Sequence, residues 1–390
     1  MEGKEYIIEK NESMPVVAIC YDFDKTLTPR DMQEQGYIQT VYGENVQQFW
    51  EESNRLASEN NMDQNLAYML KMMQESRGRE IFTKEKLNEY GKNIELYNGL
   101  PDWFDAINCF GKEVGVIVEH YIISSGLKEI IDGTNIRKYF KYVYASQYYR
   151  DEKDVCIWPA QVVNYTNKTQ FLFRISKGVL DVNDIRVNDK FNRSQIRIPF
   201  SNIVYIGDSD TDIPCMKIVK EKGGHSIGVF DSSSPSKIAK ILKLYKDNRI
   251  NYFSNADYSI NGNLYEYVIN IIELVKVNSK LENSENDNLI FANDYNKNTL
   301  FNDENYKKEI CIDELENSNS FSMTHTVVSK ISKYNSWSEN QIIRLCKAAL
   351  YNSQVKWILK DIDISRFYKS LNLYNINDEN VKKVIESINL

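Results

Sequence analysis

Residues 16–28 read VVAICYDFDKTLT, an apolar, β-branched run followed at once by a polar loop that contains two aspartates, Asp22 and Asp24. Such a run is typical of a strand buried on both faces of a parallel sheet. Helix-like segments separate this run from three similar ones, at residues 121–123, 203–206 and 227–230. Strands that alternate with helices predict an α/β fold with a doubly wound parallel sheet.

Three of the strand-like runs are followed by aspartate or serine residues. Asp22 and Asp24 follow the first, the serines of residues 124–126 follow the second, and Asp208 and Asp212 follow the third. In an open parallel sheet, ligands bind beyond the carboxyl ends of the strands, so these groups should share one crevice. Clustered carboxylates repel one another unless a cation lies among them. A hard divalent ion with oxygen ligands, Mg²⁺ above all, suits the crevice.

Four motifs in this order resemble those of the haloacid dehalogenase (HAD) superfamily, over roughly residues 14–275. DFDKTLT at 22–28 resembles its first motif, DxDx(T/V), and IISSG at 122–126 its second. The third is matched by Lys168 in TNKTQFLFRI, and the fourth, GDxxxD, by GDSDTD at 207–212. The resemblance implies a HAD-like Rossmannoid core with an inserted helical cap, similar to the phosphoserine phosphatase and pyrimidine nucleotidase branch.

The resemblance also implies catalytic roles. Asp22 would attack phosphorus and form an aspartyl-phosphate. Asp24 would protonate the leaving alkoxide and then activate water. Ser124 would hydrogen-bond a phosphoryl oxygen, and Lys168 would neutralise charge on the nucleophile and the phosphate. The neighbouring Ser125 remains an alternative to Ser124.

Further residues have binding roles on the same basis. Asp22, Asp208 and the backbone carbonyl of Asp24 would hold Mg²⁺, while Asp212 fits better as a residue that orients the lysine or a metal-bound water. Thr26, Ser125 and Gly126 would contribute to phosphate binding. Lys177, on the same predicted helix as Lys168, competes with it for the lysine role.

The second acid, Asp24, favours a phosphatase within the superfamily, because a phosphomonoesterase needs a proton donor for its leaving group. A helical lid would admit a small phosphorylated metabolite, whereas a phosphoprotein or a nucleic-acid end is the lesser alternative. Arg30 and Asp31 lie where the chain enters the lid. A contact with the substrate and a solvated loop are equally good interpretations of this pair.

Changes in composition predict the domain organisation. The catalytic core would comprise residues 1–28 and 111–275. The helical cap, or lid, would comprise residues 29–110. Residues 276–310 would form a polar, poorly ordered linker. Helical periodicity in the cap is carried by Leu66, Met69, Leu70 and Met73.

A helical domain would span residues 311–390. In it, Ser336 and Glu339 fit a capping box, and one helix face is apolar, with Ile342, Leu345, Cys346 and Ala349. This domain is either a module for dimerisation or protein binding, or a helical layer packed on the enzyme.

Bulk properties restrict the partners. The net charge of −7 disfavours non-specific binding to nucleic acid or acidic membranes, so neither is expected as a partner. Six scattered cysteines predict free thiols in a reducing compartment. No run approaches the ~18 consecutive apolar residues that span a bilayer, and the N-terminal residues do not read as a secretory signal. We therefore expect a cytoplasmic protein.

Overall fold

The computed structural model describes residues 14–191, 195–208, 210–298 and 303–389. The chain divides into two compact units, Met1–Leu281 and Glu282–Leu390. The predicted N-terminal part of the core, residues 1–13, lies outside the described residues. The strands are β1 (Val16–Tyr21), β2 (Ile117–Leu127), β3 (Phe140–Arg150), β4 (Cys156–Gln161), β5 (Ile203–Gly207), β6 (His225–Phe230) and β7 (Tyr252–Asn255).

Five helices of the first unit lie between β1 and β2, and the others follow later strands. These helices are α1 (Tyr37–Tyr42), α2 (Val46–Glu59), α3 (Gln64–Ser76), α4 (Lys84–Lys92), α5 (Asp102–Val114), α6 (Lys128–Asp132), α7 (Lys168–Lys177), α8 (Ile213–Glu221), α9 (Pro235–Lys246) and α10 (Asn263–Asn298), which continues into the second unit. The second unit contains α11 (Glu304–Glu316), α12 (Phe321–Ile331), α13 (Glu339–Tyr351), α14 (Ser353–Trp357), α15 (Ile362–Ser370) and α16 (Glu379–Asn389).

In the described residues the strands form one seven-stranded sheet in the order β4-β3-β2-β1-β5-β6-β7. Every neighbouring pair is parallel except β3 and β4, which are antiparallel. The predicted doubly wound α/β fold is confirmed, with an antiparallel edge strand added. Tyr21 at the end of β1 is in register with Ile122 of β2 and Ile206 of β5, so the three strands end at one edge.

The central strand β1 is buried on both faces, which explains its continuous apolar run. Successive side chains point to opposite faces, so Ile19 and Tyr21 belong to one hydrophobic cluster and Ala18 and Cys20 to another. The first cluster includes residues of the lid helices and of α5 and α10, and the second includes residues of α7, α8 and α9.

The cap ends earlier than the sequence analysis predicts. Helix α5 packs on the sheet, because Trp103 Nε1 donates to Tyr21 Oη at 2.8 Å and the Phe104 ring meets His120 edge to face. Residues 102–110 therefore pack with the core. In α3 the predicted periodicity is present but rotated, since the buried residues are Ala67, Tyr68, Met69, Met72 and Ser76.

The prediction of a poorly ordered linker is wrong for residues 276–298, which continue helix α10; residues 299–302 lie outside the described residues. Residues 263–275 anchor the helix in the core through Val268, Ile272 and Val275. No Gly or Pro occurs in the sequence after Gly262, so neither of the two strongest helix-breaking residues interrupts this helix. A polar composition alone did not distinguish an exposed helix from a coil.

The second unit has its own hydrophobic cluster, which includes Ile312 and Leu315 of α11. The predicted apolar face of α13 is confirmed, since Ile342, Leu345, Cys346 and Ala349 are all buried. The predicted capping box is wrong by two residues, because Ser338 and Gln341 form it and α13 begins at Glu339. Ser336 instead accepts a hydrogen bond from Lys308 Nζ, and Glu339 lies in the first helical turn.

All six cysteines are free thiols. Among the described residues, no helix is both long enough and apolar enough to span a bilayer.

Candidate active site

The predicted site residues meet at the carboxyl edge of the sheet. Asp22 directly follows β1, and its backbone N–H donates to the carbonyl of Ile206 on β5. Ser124 lies near the end of β2, Asp208 directly follows β5, and Lys168 is the first residue of α7. The sheet thus gathers residues that are up to 190 positions apart in the sequence.

Lys168 joins two of the carboxylates. Its Nζ donates to Asp22 Oδ1 and to Asp212 Oδ1, each at 2.8 Å, and the residue is fully buried. Burial alone would lower the pKa of Lys168, but the carboxylates of Asp212 and Asp22 outweigh it and raise that pKa. Tyr205 Oη also donates to Asp212 Oδ1, at 2.7 Å, which holds Asp212 in place. The lysine is therefore a fixed cation beside Asp22.

Lys177 does not reach this site. Its Nζ donates to the backbone carbonyls of Val187 and Asp189, both at 2.7 Å. The fold brings Lys168, the lysine that the motif match favours over Lys177, to the carboxylates.

Three carboxylates are close enough to hold one metal ion. Asp22, Asp208 and Asp212 each offer an oxygen, and these oxygens lie within 4.8 Å of one another. Burial, followed by repulsion from Asp212, raises the pKa of Asp22 to about 7, while burial, Asp212 and Asp22 raise that of Asp208 to about 8. Lys168 offsets only part of this negative charge. A cluster of hard oxygen donors with surplus negative charge fits a divalent cation.

Asp24 has a different environment from Asp22, Asp208 and Asp212. Its Oδ1 accepts a hydrogen bond from the backbone N–H of Met32 at 2.6 Å. Burial is the largest cause that raises the pKa of Asp24 well above its ordinary value, and Asp31 and Asp22 add to it. A raised pKa favours the protonated form of the carboxyl group, which is the form that a general acid needs.

Gly126 is required by close packing beside Asp24. A Cβ on Gly126 would collide with Met32 Cε and would lie 2.8 Å from Asp24 Oδ2. The backbone N–H of Leu127 also points at Met32 Sδ, at 3.2 Å. Met32 thus contacts both Asp24 and the loop that contains the predicted phosphate-binding serines.

Besides Thr28, whose hydroxyl donates to the backbone carbonyl of Arg30, three buried hydroxyl groups lie in the motif loops. Ser124 Oγ accepts a hydrogen bond from the backbone N–H of Gly126 at 3.0 Å. Thr26 Oγ1 and Ser125 Oγ have no hydrogen-bond partner among the described residues. Buried hydroxyls usually have partners, so these groups are suited to an incoming anion. The choice between Ser124 and Ser125 stays open, because both hydroxyls keep a proton to donate.

Arg30 and Asp31 lie at the start of the lid and do not contact Asp22. Asp31 forms an ion pair with Lys25 at 2.6 Å, and Arg30, which is half exposed, pairs with Glu95 at 3.0 Å. Lys25 has a φ of 58°, the left-handed region that non-glycine residues seldom adopt. The ion pair thus joins the start of the lid to the loop that contains Asp22 and Asp24.

The sequence analysis missed two aromatic residues of the lid that contact groups at or near the site. Tyr68 Oη donates to the backbone carbonyl of Ser125 at 2.8 Å, and Trp50 Nε1 donates to Glu34 Oε1 at 2.7 Å. Burial, followed by the nearby Asp31, raises the pKa of Glu34. An aromatic residue inside an amphipathic helix carries no signal in the sequence that separates a core residue from one facing a site.

Comparisons with known proteins agree with this layout. Residues 19–217, just over half of the chain, match the family model of haloacid dehalogenase-like hydrolases. An uncharacterised protein of Borreliella burgdorferi is 26% identical over 291 residues, which cover 66% of this chain and 97% of that protein.

Solved structures with detectable similarity are more distant. A HAD family hydrolase from Salmonella enterica serovar Typhi has 20% sequence identity and a TM-score of 0.40, and the match covers 58% of this chain and 66% of that one. A phosphoserine phosphatase with a phospho-aspartyl intermediate analogue has 16% identity and a TM-score of 0.37, covering 61% and 93%.

The family model, in contrast, includes the strand ends that carry Asp22, Ser124 and Asp208, as well as Lys168. The expectation of an enzyme with a HAD-like core is confirmed: the chain belongs to the haloacid dehalogenase-like hydrolase family.

Proposed function

We propose that this protein is a Mg²⁺-dependent phosphomonoesterase that acts on a small phosphorylated metabolite through an aspartyl-phosphate on Asp22. The observation that carries the proposal is the buried contact of Lys168 Nζ with both Asp22 and Asp212 at the end of β1. A carboxylate held by a fixed cation, with a second, protonatable acid two residues on, is suited to covalent phosphoryl transfer.

The reaction has two steps. In the first, a carboxylate oxygen of Asp22 bonds to phosphorus, the bond from phosphorus to the ester oxygen breaks, and Asp24 gives its proton to the leaving alkoxide. In the second, Asp24 takes a proton from a water molecule that attacks phosphorus, and the bond to Asp22 breaks to release inorganic phosphate. Hydrogen bonding of Asp24 to the Met32 N–H keeps this carboxyl group oriented in both steps.

Asp22, Asp208 and the backbone carbonyl of Asp24 would hold the Mg²⁺, and Asp212 would orient Lys168. The bound ion would supply positive charge that offsets the charge of the nucleophile and the phosphoryl oxygens. The closeness of the Asp22, Asp208 and Asp212 oxygens and the raised pKa values of Asp22 and Asp208 support this assignment.

Lys168, the serine hydroxyls of residues 124–125, Thr26 Oγ1 and the N–H of Gly126 would bind the phosphoryl group. The buried, unpartnered hydroxyls of Thr26 and Ser125 support this role. Hydrogen bonds from such fixed donors stabilise the charge that spreads over the phosphoryl oxygens during transfer.

The enclosure of the site favours a small substrate. Ser124 and Lys168 are fully buried, and Asp22 is 5% exposed. A substrate must therefore enter while the lid is displaced and be covered afterwards, which a folded phosphoprotein would prevent. The deciding experiment is a screen of phosphate release over a panel of phosphorylated metabolites with Mg²⁺, run beside Asp22→Asn. Phosphate release by the wild type but not by Asp22→Asn supports the proposal. The absence of phosphate release from every ester of the panel would refute it.

A second candidate function, binding of an acidic protein segment, concerns the C-terminal unit. A groove of about 640 Å³ lies between the ends of α13, α14 and α16. Trp357 and Tyr351 line it and are 80% and 71% exposed, and the lining includes Lys356 and Lys360 but no acid. Aromatic surface next to lysines, with no acidic residue in the lining, is complementary to an acidic, amphipathic segment.

A designed amphipathic peptide with a glutamate face and a leucine face tests this second candidate. It should bind the full-length protein more weakly at high salt, and Lys356→Glu with Lys360→Glu should abolish binding without changing hydrolysis of a small ester. The control peptide carries lysine in place of glutamate. Equal binding of both peptides would contradict the proposal.

A further inference from the structure

Helix α3 of the lid contacts the loop that leads to Lys168. Asp63, which precedes the helix, accepts a hydrogen bond at Oδ2 from Asn164 Nδ2 at 2.8 Å. Two residues later, Asn65 Nδ2 donates to the backbone carbonyl of Val163, also at 2.8 Å. Two consecutive residues of the Lys168 loop are therefore held by the start of one lid helix.

Asn164 also builds the turn that begins α7. Its Oδ1 accepts from the Thr166 N–H at 3.0 Å and from Thr166 Oγ1 at 2.6 Å. Its backbone carbonyl accepts from the Lys168 N–H at 3.0 Å. The side-chain oxygen of Asn164 thus shapes the turn before Lys168, while the side-chain nitrogen contacts the lid.

Both carboxylate oxygens of Asp63 accept hydrogen bonds. Its Oδ1 caps α3 by accepting from the N–H groups of Asn65 and Leu66, at 2.9 and 3.0 Å. Its Oδ2 is the oxygen that receives Asn164. One carboxylate therefore starts the lid helix and holds the Lys168 loop, and it cannot leave with the lid without removing a partner from Asn164.

A second contact ties the same helix to the serine loop. Tyr68 Oη donates to the carbonyl of Ser125 at 2.8 Å, and Ser146 Oγ donates to that carbonyl at 3.1 Å. The Val163 N–H donates in turn to Ser146 Oγ at 3.0 Å. Ser146 thus links the serine loop to the loop of Lys168, and α3 contacts both.

We infer that Asp63 and Asn164 are positioning residues that make the alignment of Lys168 depend on a closed lid. The inference rests on the proposed phosphatase function and extends it. With α3 docked, Lys168 starts its helix in the orientation that reaches Asp22 and Asp212. With α3 displaced, the turn loses its contact to the lid and Lys168 is held less well. Catalysis is then confined to substrates small enough for the lid to close, since misalignment of a catalytic group slows transfer.

The test uses exchanged side chains in the full-length protein. Asn164→Asp keeps an oxygen for the turn but sets a carboxylate against Asp63, so kcat should fall roughly tenfold or more, with a smaller change in KM. In the double variant Asp63→Asn, Asn164→Asp, the amide at position 63 can donate to the carboxylate at position 164. This variant should recover most of the lost kcat. Asn54→Asp, on an exposed position of lid helix α2, is the control for added charge and should match the wild type.

Hydrogen exchange gives a readout that does not require activity. In Asn164→Asp, the amides of residues 64–70 and 164–170 should both exchange faster, and the double variant should restore both. If the wild type is active and Asn164→Asp keeps full kcat and unchanged hydrogen exchange, the inference is overturned but the proposed function is not. Failure of the double variant to recover kcat would overturn it too, whereas a wild type inactive on every ester would refute the proposed function instead.

Discussion

Lys168 Nζ lies 2.8 Å from Asp22 Oδ1, and both groups are buried. These residues are 146 positions apart in the chain, and strand β1 and the start of α7 bring them together. In this arrangement the proposed nucleophile is held in place before a substrate arrives, so that little reorganisation is needed during phosphoryl transfer.

Asp22→Asn should reduce phosphatase activity about a thousandfold or more, because it removes the attacking carboxylate while keeping an oxygen that can accept from Lys168. The melting temperature should not fall, since the change removes one negative charge from a crowded group. Phosphate release and thermal melts of the wild type and the variant measure both effects. Most of the wild-type activity persisting in Asp22→Asn with metal present would rule out the covalent route.

Lys168→Met should also abolish turnover and should lower the free energy of unfolding by about 3 kcal/mol, because breaking a buried ion pair leaves its partners uncompensated. The control is Lys177→Met on the same helix, whose Nζ contacts two backbone carbonyls and the ring of Phe191 and does not contact Asp22 or Asp212. It should retain kcat. Similar losses of kcat in the two variants would contradict the assignment of Lys168.

The metal-free protein should lose stability as the pH rises from about 4 to about 8. Asp22 and Asp208 have pKa values of about 7 and about 8 in the fold, against an ordinary value of 3.8, so the folded state binds more protons across this window. Their contribution to stability is present at low pH and is lost as pH passes through the folded pKa values.

Asp208→Asn should flatten this dependence in melts recorded without metal, and stabilisation by Mg²⁺ should grow with pH, because the ion binds the deprotonated acids. If the melting curves of the metal-free wild type do not change between pH 5 and 8, the prediction is contradicted. The pKa values of Asp22 and Asp208 would then not be raised by burial and mutual repulsion.

Chelation should abolish activity, and Mg²⁺ should restore it, whereas Ca²⁺ should inhibit. Mg²⁺ keeps a tight octahedral geometry, while the larger Ca²⁺ takes more ligands and could engage both oxygens of Asp22. Assays after dialysis against EDTA, with each ion added back, measure this. Full activity after exhaustive chelation would end the claim of metal dependence.

Arg30→Ala or Asp31→Ala should change the ranking of substrates more than it changes hydrolysis of p-nitrophenyl phosphate, because that ester offers little for the lid to recognise. Glu34, which lies near Asp31 and accepts from Trp50, belongs to the same region. kcat/KM for the preferred metabolite and for the generic ester should be measured in parallel. Equal losses on both would assign these residues to catalysis rather than to specificity.

Local chemistry in the sequence determined the strand before Asp22, the polar loops after the strands and the apolar face of α13. These features depend on the order of neighbouring side chains, which short-range periodicity reports directly. The same reasoning placed a capping box two residues too early and interpreted residues 276–298 as a coil. Serine and acidic residues occur in several overlapping patterns, and a polar helix anchored at one end resembles a linker in composition.

Tertiary structure alone decided that α5 packs on the sheet and that Asp63 meets Asn164 across 101 positions, and it placed the predicted Lys168, not its competitor Lys177, at the carboxylates. Each of these outcomes depends on which elements become neighbours when apolar faces are buried together. Sequence spacing does not encode that choice, because a contact between distant residues is stabilised by the packing of the whole fold. The motifs therefore determined the chemistry available to this protein, and the packing decided which residues are in place to perform it.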